Sequence, residues 1–306
     1  MNIIYLDNSA TTPIKSEVLQ EMMPYLTTEY GNASSLYSLG RSAKRAIEKA
    51  RNRVAELLNC NHNEIYFTGG GSESDNIALK GFAYANKEKG NHIITSKIEH
   101  PAILETCKTL ERQGFEISYI NVNEDGIIDV EKLRKSIKSN TILISVMTAN
   151  NEVGTIQPIE EIAKIAHDNN IVFHTDAVQA IGNVQIDVEK MGIDMLSLSS
   201  HKINGPKGVG ALYIKNGIEV EKFINGGHQE KDRRAGTENV AGIVGLGKAV
   251  EIARKNMETH IRNLSKVRDY YIKKVQKEIP NIRMVVWKIG FQEMLIFLLK
   301  KLMHLN

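Results

Sequence analysis

Short apolar runs rich in Ile, Val, Tyr and Phe recur along the chain: "EIYFTGGG", "HIITS", "EISYINV", "TILISVM", "IVFHTDA", "MLSLSS" and "VGALYI". Their length and their β-branched and aromatic content predict strands. Between several of them the apolar positions switch to a helical period. "SESDNIALKGFAYANKEK" predicts a helix with Ser72 or Ser74 as N-cap, "PAILETCKTLERQG" one with Pro101 in its first turn, and "PIEEIAKIAHDNN" one that stops at asparagine. Strands alternating with helices in this way predict βαβ units, hence an α/β fold with a mostly parallel central sheet and helices on both faces.

Two longer helices flank that region. Ala43, Ile47, Ala50, Val54 and Leu57 recur at i, i+3, i+4 spacing and predict one buried stripe. Leu246, Val250, Ala253, Met257, Leu264, Val267, Tyr271 and Val275 do the same over a longer segment, the expected link into a second, smaller domain. After Arg283 the character changes to "MVVWKIGFQEMLIFLLKKLMHLN", which has no caps, turn signals or evident period.

Composition narrows the class. A chain of 306 residues is long enough for one large domain and a smaller one. Its net charge of +3 comes without basic runs, so no nucleic-acid partner is expected. Cys60 and Cys107 are the only cysteines and form neither C-x-x-C nor a metal-ligand spacing, which suits a reducing compartment; a cytoplasmic location is expected and no metal. The start "MNIIYLDNSATTP" reads as neither a signal nor a transit peptide. "MLIFLL" is far shorter than the roughly 20 residues that span a bilayer, so no membrane is expected.

Ligands of open α/β sheets bind beyond the carboxyl ends of the strands. "TGGGSES" follows a strand and opens a helix, where free N–H groups can hold a phosphate, although a plain glycine turn reads equally well. "HTDAVQA" carries Asp176 and Gln179 past a strand end; a buried Asp needs a cationic partner, and the competing role is a cap. His100 before Pro101, and Asn150 with Asn151, stand at further strand ends, where capping and turn roles compete.

Lys202 is the sharpest signal. It follows Ser199, Ser200 and His201 and precedes Gly205, Pro206 and Gly208, a rigid setting in which a desolvated amine can become a nucleophile. A surface lysine has no use for that scaffold. A lysine for an aldehyde, an aspartate for a pyridine nitrogen, donors for a phosphate and an imidazole for stacking are together what pyridoxal 5'-phosphate needs.

Taken in order, "YLDNSATTP", "TGGGSESDN", "EHPAILE", "NNEVGTIQP", "HTDAVQA", "SSHKINGPKGVGALY" and "GGHQEKDRRAGTEN" resemble the successive signatures of the NifS-like cysteine desulfurases, class V members of the fold-type I pyridoxal phosphate transferases. The resemblance runs to about Arg283. It implies a large pyridoxal phosphate-binding domain over residues 15–250 and an incomplete small α/β domain over 1–14 and 251–306. By the same resemblance Lys202 bonds the cofactor aldehyde, Asp176 pairs with the pyridinium nitrogen, His100 stacks on the ring and Gln179 bonds the phenolic oxygen. Gly71, Ser72, Ser199 and His201 hold the phosphate together with Thr237 of the partner subunit in a homodimer, and Asn151 faces the cofactor. Ser72 stands where threonine is usual and keeps the hydroxyl; Tyr37 stands where histidine is usual.

The activity implied is conversion of L-cysteine to L-alanine, with Lys202 and His100 moving protons and the sulfur left as an enzyme persulfide. That sulfur would pass to a sulfur-acceptor or scaffold protein for iron-sulfur cluster or thio-cofactor assembly. In the family the attacking cysteine lies on a loop well beyond Arg283, and neither Cys60 nor Cys107 matches it, so pyridoxal phosphate binding without full desulfurase activity is expected. Another class V activity, aminotransferase or selenocysteine lyase-like, and a non-catalytic scaffold are the alternatives. A non-haem iron site on His174-x-Asp176 needs a third ligand on a β-sandwich, which the strand–helix alternation does not offer.

The tail itself suggests a shifted reading frame. Codons permitted for Gly290 to Leu299, read from the last base of the Gly290 codon, spell LPGNVNISF, the continuation typical of the family. The nucleotide sequence tests this: a one-base shift near Arg283 should restore that continuation and a downstream cysteine, and a single uninterrupted frame with neither would refute it.

Overall fold

The computed structural model describes residues 4–279 and a short antiparallel strand pair, Ile282–Met284 with Phe297–Leu299. The strands predicted from the apolar runs are all present, as β1 (Ile65–Thr68), β2 (His92–Ser96), β3 (Glu116–Ile120), β4 (Thr141–Ser145), β5 (Val172–Asp176), β6 (Met195–Ser199) and β7 (Gly210–Ile214). The helices are α1 (Ser16–Thr27), α2 (Ser38–Leu58), α3 (Gly71–Asn76), α4 (Phe82–Ala85), α5 (Pro101–Arg112), α6 (Val130–Lys135), α7 (Ile159–Asp168) and α8 (Val240–Glu278). A π turn, Ile77–Gly81, joins α3 to α4.

The strands form one seven-stranded sheet in the order β1-β7-β6-β5-β4-β2-β3. β2 to β6 pair in parallel, and only β7 runs against its neighbours. Every residue of β2, β4, β6 and β7 is buried, as expected for strands covered by helices on both faces. Register then decides where the site lies. Asp176 pairs with Ser197, Ser199 with Gly210, and Gly210 with Thr68, so the carboxyl ends of β1, β5 and β6 finish side by side.

Two local expectations need correction. Ser72 and Ser74 are not caps: the chain enters α3 through Gly70 at φ +149°, a backbone open to glycine, and both serines lie inside the helix. Ser74 instead bonds Thr68 Oγ1 at 2.8 Å and the Ala211 carbonyl at 3.1 Å, which ties the helix start to β1 and β7. The predicted stripe of α2 is buried throughout, whereas that of α8 is buried only through Val250; farther on, Val267 is 65% and Tyr271 50% exposed. The aberrant tail expected after about residue 283 lies outside the described residues, apart from the strand pair. Among the described residues no helix is long and apolar enough to cross a membrane.

A buried ion pair fixes the loop that leads into α8. Arg51 of α2 meets Glu230 in a bidentate contact, Nη1–Oε2 2.7 Å and Nη2–Oε1 2.8 Å. The same guanidinium donates to the Ile65 carbonyl at 2.7 Å, and Phe67 N–H donates to Glu230 at 2.8 Å. Glu230, Lys231 and Asp232 are all left-handed, a strain of order 1–2 kcal/mol per residue that this pair offsets. Glu230→Ala, which strands the buried guanidinium, should cost about 3–5 kcal/mol in denaturant unfolding, and Arg51→Met with Glu230→Leu should recover most of it.

Candidate active site

Side chains alternate faces along a strand, so His174 and Asp176 of β5 point the same way. His174 is sealed in. Its Nδ1 meets Ser145 Oγ at 2.9 Å and its Nε2 meets Ser197 Oγ at 3.1 Å, and burial pushes its pKa down to about 3. With both ring nitrogens committed, His174 is no metal ligand, and the iron reading of His174-x-Asp176 falls. Asp176 ends the strand, and its Oδ1 accepts the Val178 N–H at 2.8 Å, so the local turn role is real. Burial nonetheless raises its pKa, which the charges of His100 and Lys202 oppose.

β6 continues through Ser199 into a single 3-10 turn, Ser200–Lys202, that delivers the lysine. The amino-terminal segment is stitched across this turn. Thr12 donates through N–H and hydroxyl to the His201 carbonyl at 2.9 and 2.8 Å, and Asn204 Nδ2 donates to the Pro13 carbonyl at 3.0 Å. That strap places the carbonyls of Ser9 and Ala10 against Lys202 Nζ, which donates to both. Burial lowers the amine's pKa, while the charges of Asp176, Asp7 and Glu152 pull the other way.

The surrounding cavity has a volume of about 680 Å³, within the range of small-ligand sites. Nine of the ten residues singled out from the sequence line it: Gly71, Ser72, His100, Asn151, Asp176, Gln179, Ser199, His201 and Lys202. Thr237 does not; it is exposed on the loop before α8. Tyr37, 59% exposed at the start of α2, is also outside. His100 caps α5, its Nδ1 accepting the Ala102 N–H at 3.1 Å, and it also lines the cavity. Of the asparagines, Asn150 is the turn residue, accepting from the N–H groups of Glu152 and Val153, and Asn151 is the one in the cavity.

The strap residues Asp7, Ser9 and Ala10, and Asp75 of α3, also line the cavity and were missed. The periodicity did carry the last: Asp75 is i+4 from Gly71 and i+3 from Ser72, hence on the same helix face.

The donor set suits pyridoxal phosphate. An adjoining hollow of about 550 Å³ is bounded by Gly69 to Glu73, Ser199, His201 and Lys207, which offers first-turn N–H groups, hydroxyls and a cation to a phosphate. A Cβ on Gly71 would stand 2.6 Å from Val178 Cγ2, so the close approach of this turn to the site requires glycine. Burial, with the charges of Lys202 and Lys207, holds His201 below the usual histidine range. Asp176 and Lys202 would supply the two remaining groups, an anion for a ring nitrogen and an amine for an aldehyde.

Sheet order, lysine and phosphate turn together define a class V pyridoxal phosphate enzyme, and the chain matches the aminotransferase class V family over residues 4–292. The cysteine desulfurase IscS of Clostridium botulinum (strain Hall) is 56% identical over 281 residues, 92% of this chain and 71% of that protein. The IscS of Methanosarcina thermophila is 57% identical over 274 residues, 90% of this chain and 68% of its own length. Among solved structures, a NifS-like protein superposes with a TM-score of 0.92 at 39% identity, covering 94% of this chain and 80% of that one. SspA in complex with cysteine superposes with 0.80 at 44% identity, covering 81% and 72%. The chain belongs to the cysteine desulfurase family within the class V aminotransferases, whose members depend on pyridoxal phosphate.

Glu99, next to His100, makes stability depend on pH. It accepts from Ser96 Oγ at 2.6 Å and from Met147 N–H at 3.0 Å, and burial pushes it up to about 8. A carboxyl with a raised native pKa binds its proton more tightly when folded, so its contribution is complete below about 4.5 and is lost as pH rises through about 8. The melting temperature should therefore fall across that window, and Glu99→Gln should flatten part of the fall; an unchanged profile would refute the assignment.

Proposed function

We propose that this chain binds pyridoxal 5'-phosphate through Lys202, takes L-cysteine as substrate, and does not complete sulfur transfer by itself. The observation that carries this reading is a half-buried lysine amine facing Asp176 within one cavity, beside a phosphate-type turn. The cysteine in the SspA complex and the desulfurase names of the relatives support the substrate. When bound, the cofactor supplies an aldehyde and an electron-withdrawing ring.

The chain's own residues do the rest. Asp176 offers the charge that keeps a ring nitrogen protonated, and His100 offers an imidazole over the ring. Gln179 Nε2, which donates to the Ser9 carbonyl at 2.9 Å, stands ready for a phenolic oxygen. Gly71, Ser72, Ser199 and His201 hold the phosphate, joined by Thr237 of the partner subunit in a homodimer; exposure of the Thr237 loop is what such sharing requires. Asn151 would face the cofactor, and the Lys202 amine and the His100 imidazole would serve as the proton carriers at the substrate. Residues 15–250 form the cofactor-binding body in this reading, with 1–14 and the chain from 251 on assigned to a smaller domain.

Sulfur transfer needs a thiolate, and the two thiols here are poor ones. Burial pushes Cys60 and Cys107 each up to about 12, and neither lines the cavity. Passage of sulfur to an acceptor or scaffold protein in the cytoplasm therefore calls for a cysteine other than these.

Purified protein soaked in pyridoxal phosphate should show a visible absorbance band that Lys202→Ala abolishes. With L-cysteine and a dithiol reductant, which supplies the two electrons that free sulfide from a persulfide, it should release alanine and sulfide at about background, unchanged by Cys60→Ala. No band in the wild type would overturn cofactor binding; sulfide release at rates normal for enzymes, about 1 per second or more, would overturn the missing thiolate.

A further inference from the structure

α3 packs on β6 and β7, on the side of the sheet where Asp75 reaches His174 and Asp176 of β5. Asp75 of α3 is 1% exposed there, and its Oδ1 has no hydrogen-bond partner. That oxygen stands 3.9 Å from His174 Nε2, on a ring whose nitrogens already serve Ser145 and Ser197. A carboxyl oxygen of Asp75, one of Asp176 and a ring nitrogen of His100 all lie within 4.8 Å of one another. Two carboxylates this close and this dry do not both ionise at neutral pH.

The surroundings decide which one keeps the proton. Around Asp75 stand Asp176 and His174 from β5, Ser197 from β6, and Glu99 and His100 from the turn before α5. Burial and then the charge of Asp176 hold Asp75 well above the usual carboxylate range, and the Ser197 hydroxyl offsets only part of this. Asp176 has more help as an anion: the Val178 N–H and the charges of His100 and Lys202.

We propose that Asp75 is a positioning residue of the cofactor site: a neutral acid that carries the proton of an Asp75–Asp176 pair and leaves Asp176 as the single anion that meets the ring nitrogen. Placement of the proton concerns this chain alone, whereas its effect on the ring rests on the cofactor reading above. The proton on Asp75, turned toward Asp176 within 4.8 Å, weakens Asp176 as a base without removing its charge, so the ring nitrogen would keep its own proton.

The test has an apo arm and a loaded arm. In the cofactor-free full chain labelled with carboxyl-carbon-13 aspartate, the wild type should show one aspartate resonance still protonated at pH 7, absent in Asp75→Asn; the aspartate label leaves the raised Glu99 silent. Spectra in which every aspartate is ionised, or in which the wild type and Asp75→Asn coincide, would overturn the proposal. In protein loaded with pyridoxal phosphate, the pH midpoint of the visible band should shift by about 1 unit in Asp75→Leu and return toward the wild type in Asp75→Asn, whose amide is still a donor. Superposable titrations of the wild type and Asp75→Leu would overturn the positioning role. If the wild type shows no band, the cofactor reading fails and the ring effect with it, while the apo arm still decides where the proton sits.

Discussion

A lysine amine kept partly out of water is the constraint that organises this site. Lys202 rides on a single 3-10 turn at the end of β6, and the register of β5, β6 and β7 sets that turn level with Asp176 and with the glycine turn after β1. The strap over residues 9–13 then covers it, with Thr12 and Pro13 bonded to the lysine turn and the carbonyls of Ser9 and Ala10 turned to the amine. Desolvation makes the free amine accessible, while Asp176 limits how far it loses its charge. The balance of those two effects is what a nucleophilic lysine requires.

The same end of the sheet buries three carboxyls, Asp75, Glu99 and Asp176. Isolated buried charges are costly, so such groups either find partners or stay protonated. Each is raised by burial, and they differ in compensation: Glu99 has a backbone N–H and a serine hydroxyl, Asp176 has a backbone N–H and nearby cations, and Asp75 has a bare oxygen. Stability is thereby exchanged for a site whose charge sits on one chosen atom. The Arg51–Glu230 pair, on the far side of β1, does opposite work: it is fully compensated and holds a strained loop in place.

Much of this was legible in the sequence. Strand-length apolar runs marked β1 to β7, and the alternation with helices implied the parallel sheet whose carboxyl ends form the site. The cavity residues were legible because they cluster in short segments just after strands, where a pattern of polar and glycine residues interrupts the apolar run. What escaped depends on three-dimensional neighbours. Ser74 was read as a cap because local sequence cannot show that β7 lies within bonding distance. Asp75 gives no local signal of its own, because its burial beside Asp176 and His174 follows from the packing of α3 on β6 and β7. The periodic stripe of α8 continues in sequence past Val250, but burial needs a partner surface as well as a period, and Val267 and Tyr271 are exposed. Thr237 was named through resemblance alone and sits outside the cavity of its own chain.

The protonation curve of the Lys202 amine is the most direct measurement of whether burial has made it a nucleophile. Reductive methylation of the cofactor-free full chain with carbon-13 formaldehyde gives each lysine an NMR signal, and Lys202→Arg assigns the one in question. The expected result is a Lys202 signal that titrates below the ordinary lysine range. A Lys202 signal that titrates at or above that range would contradict the desolvated amine on which the cofactor reading depends.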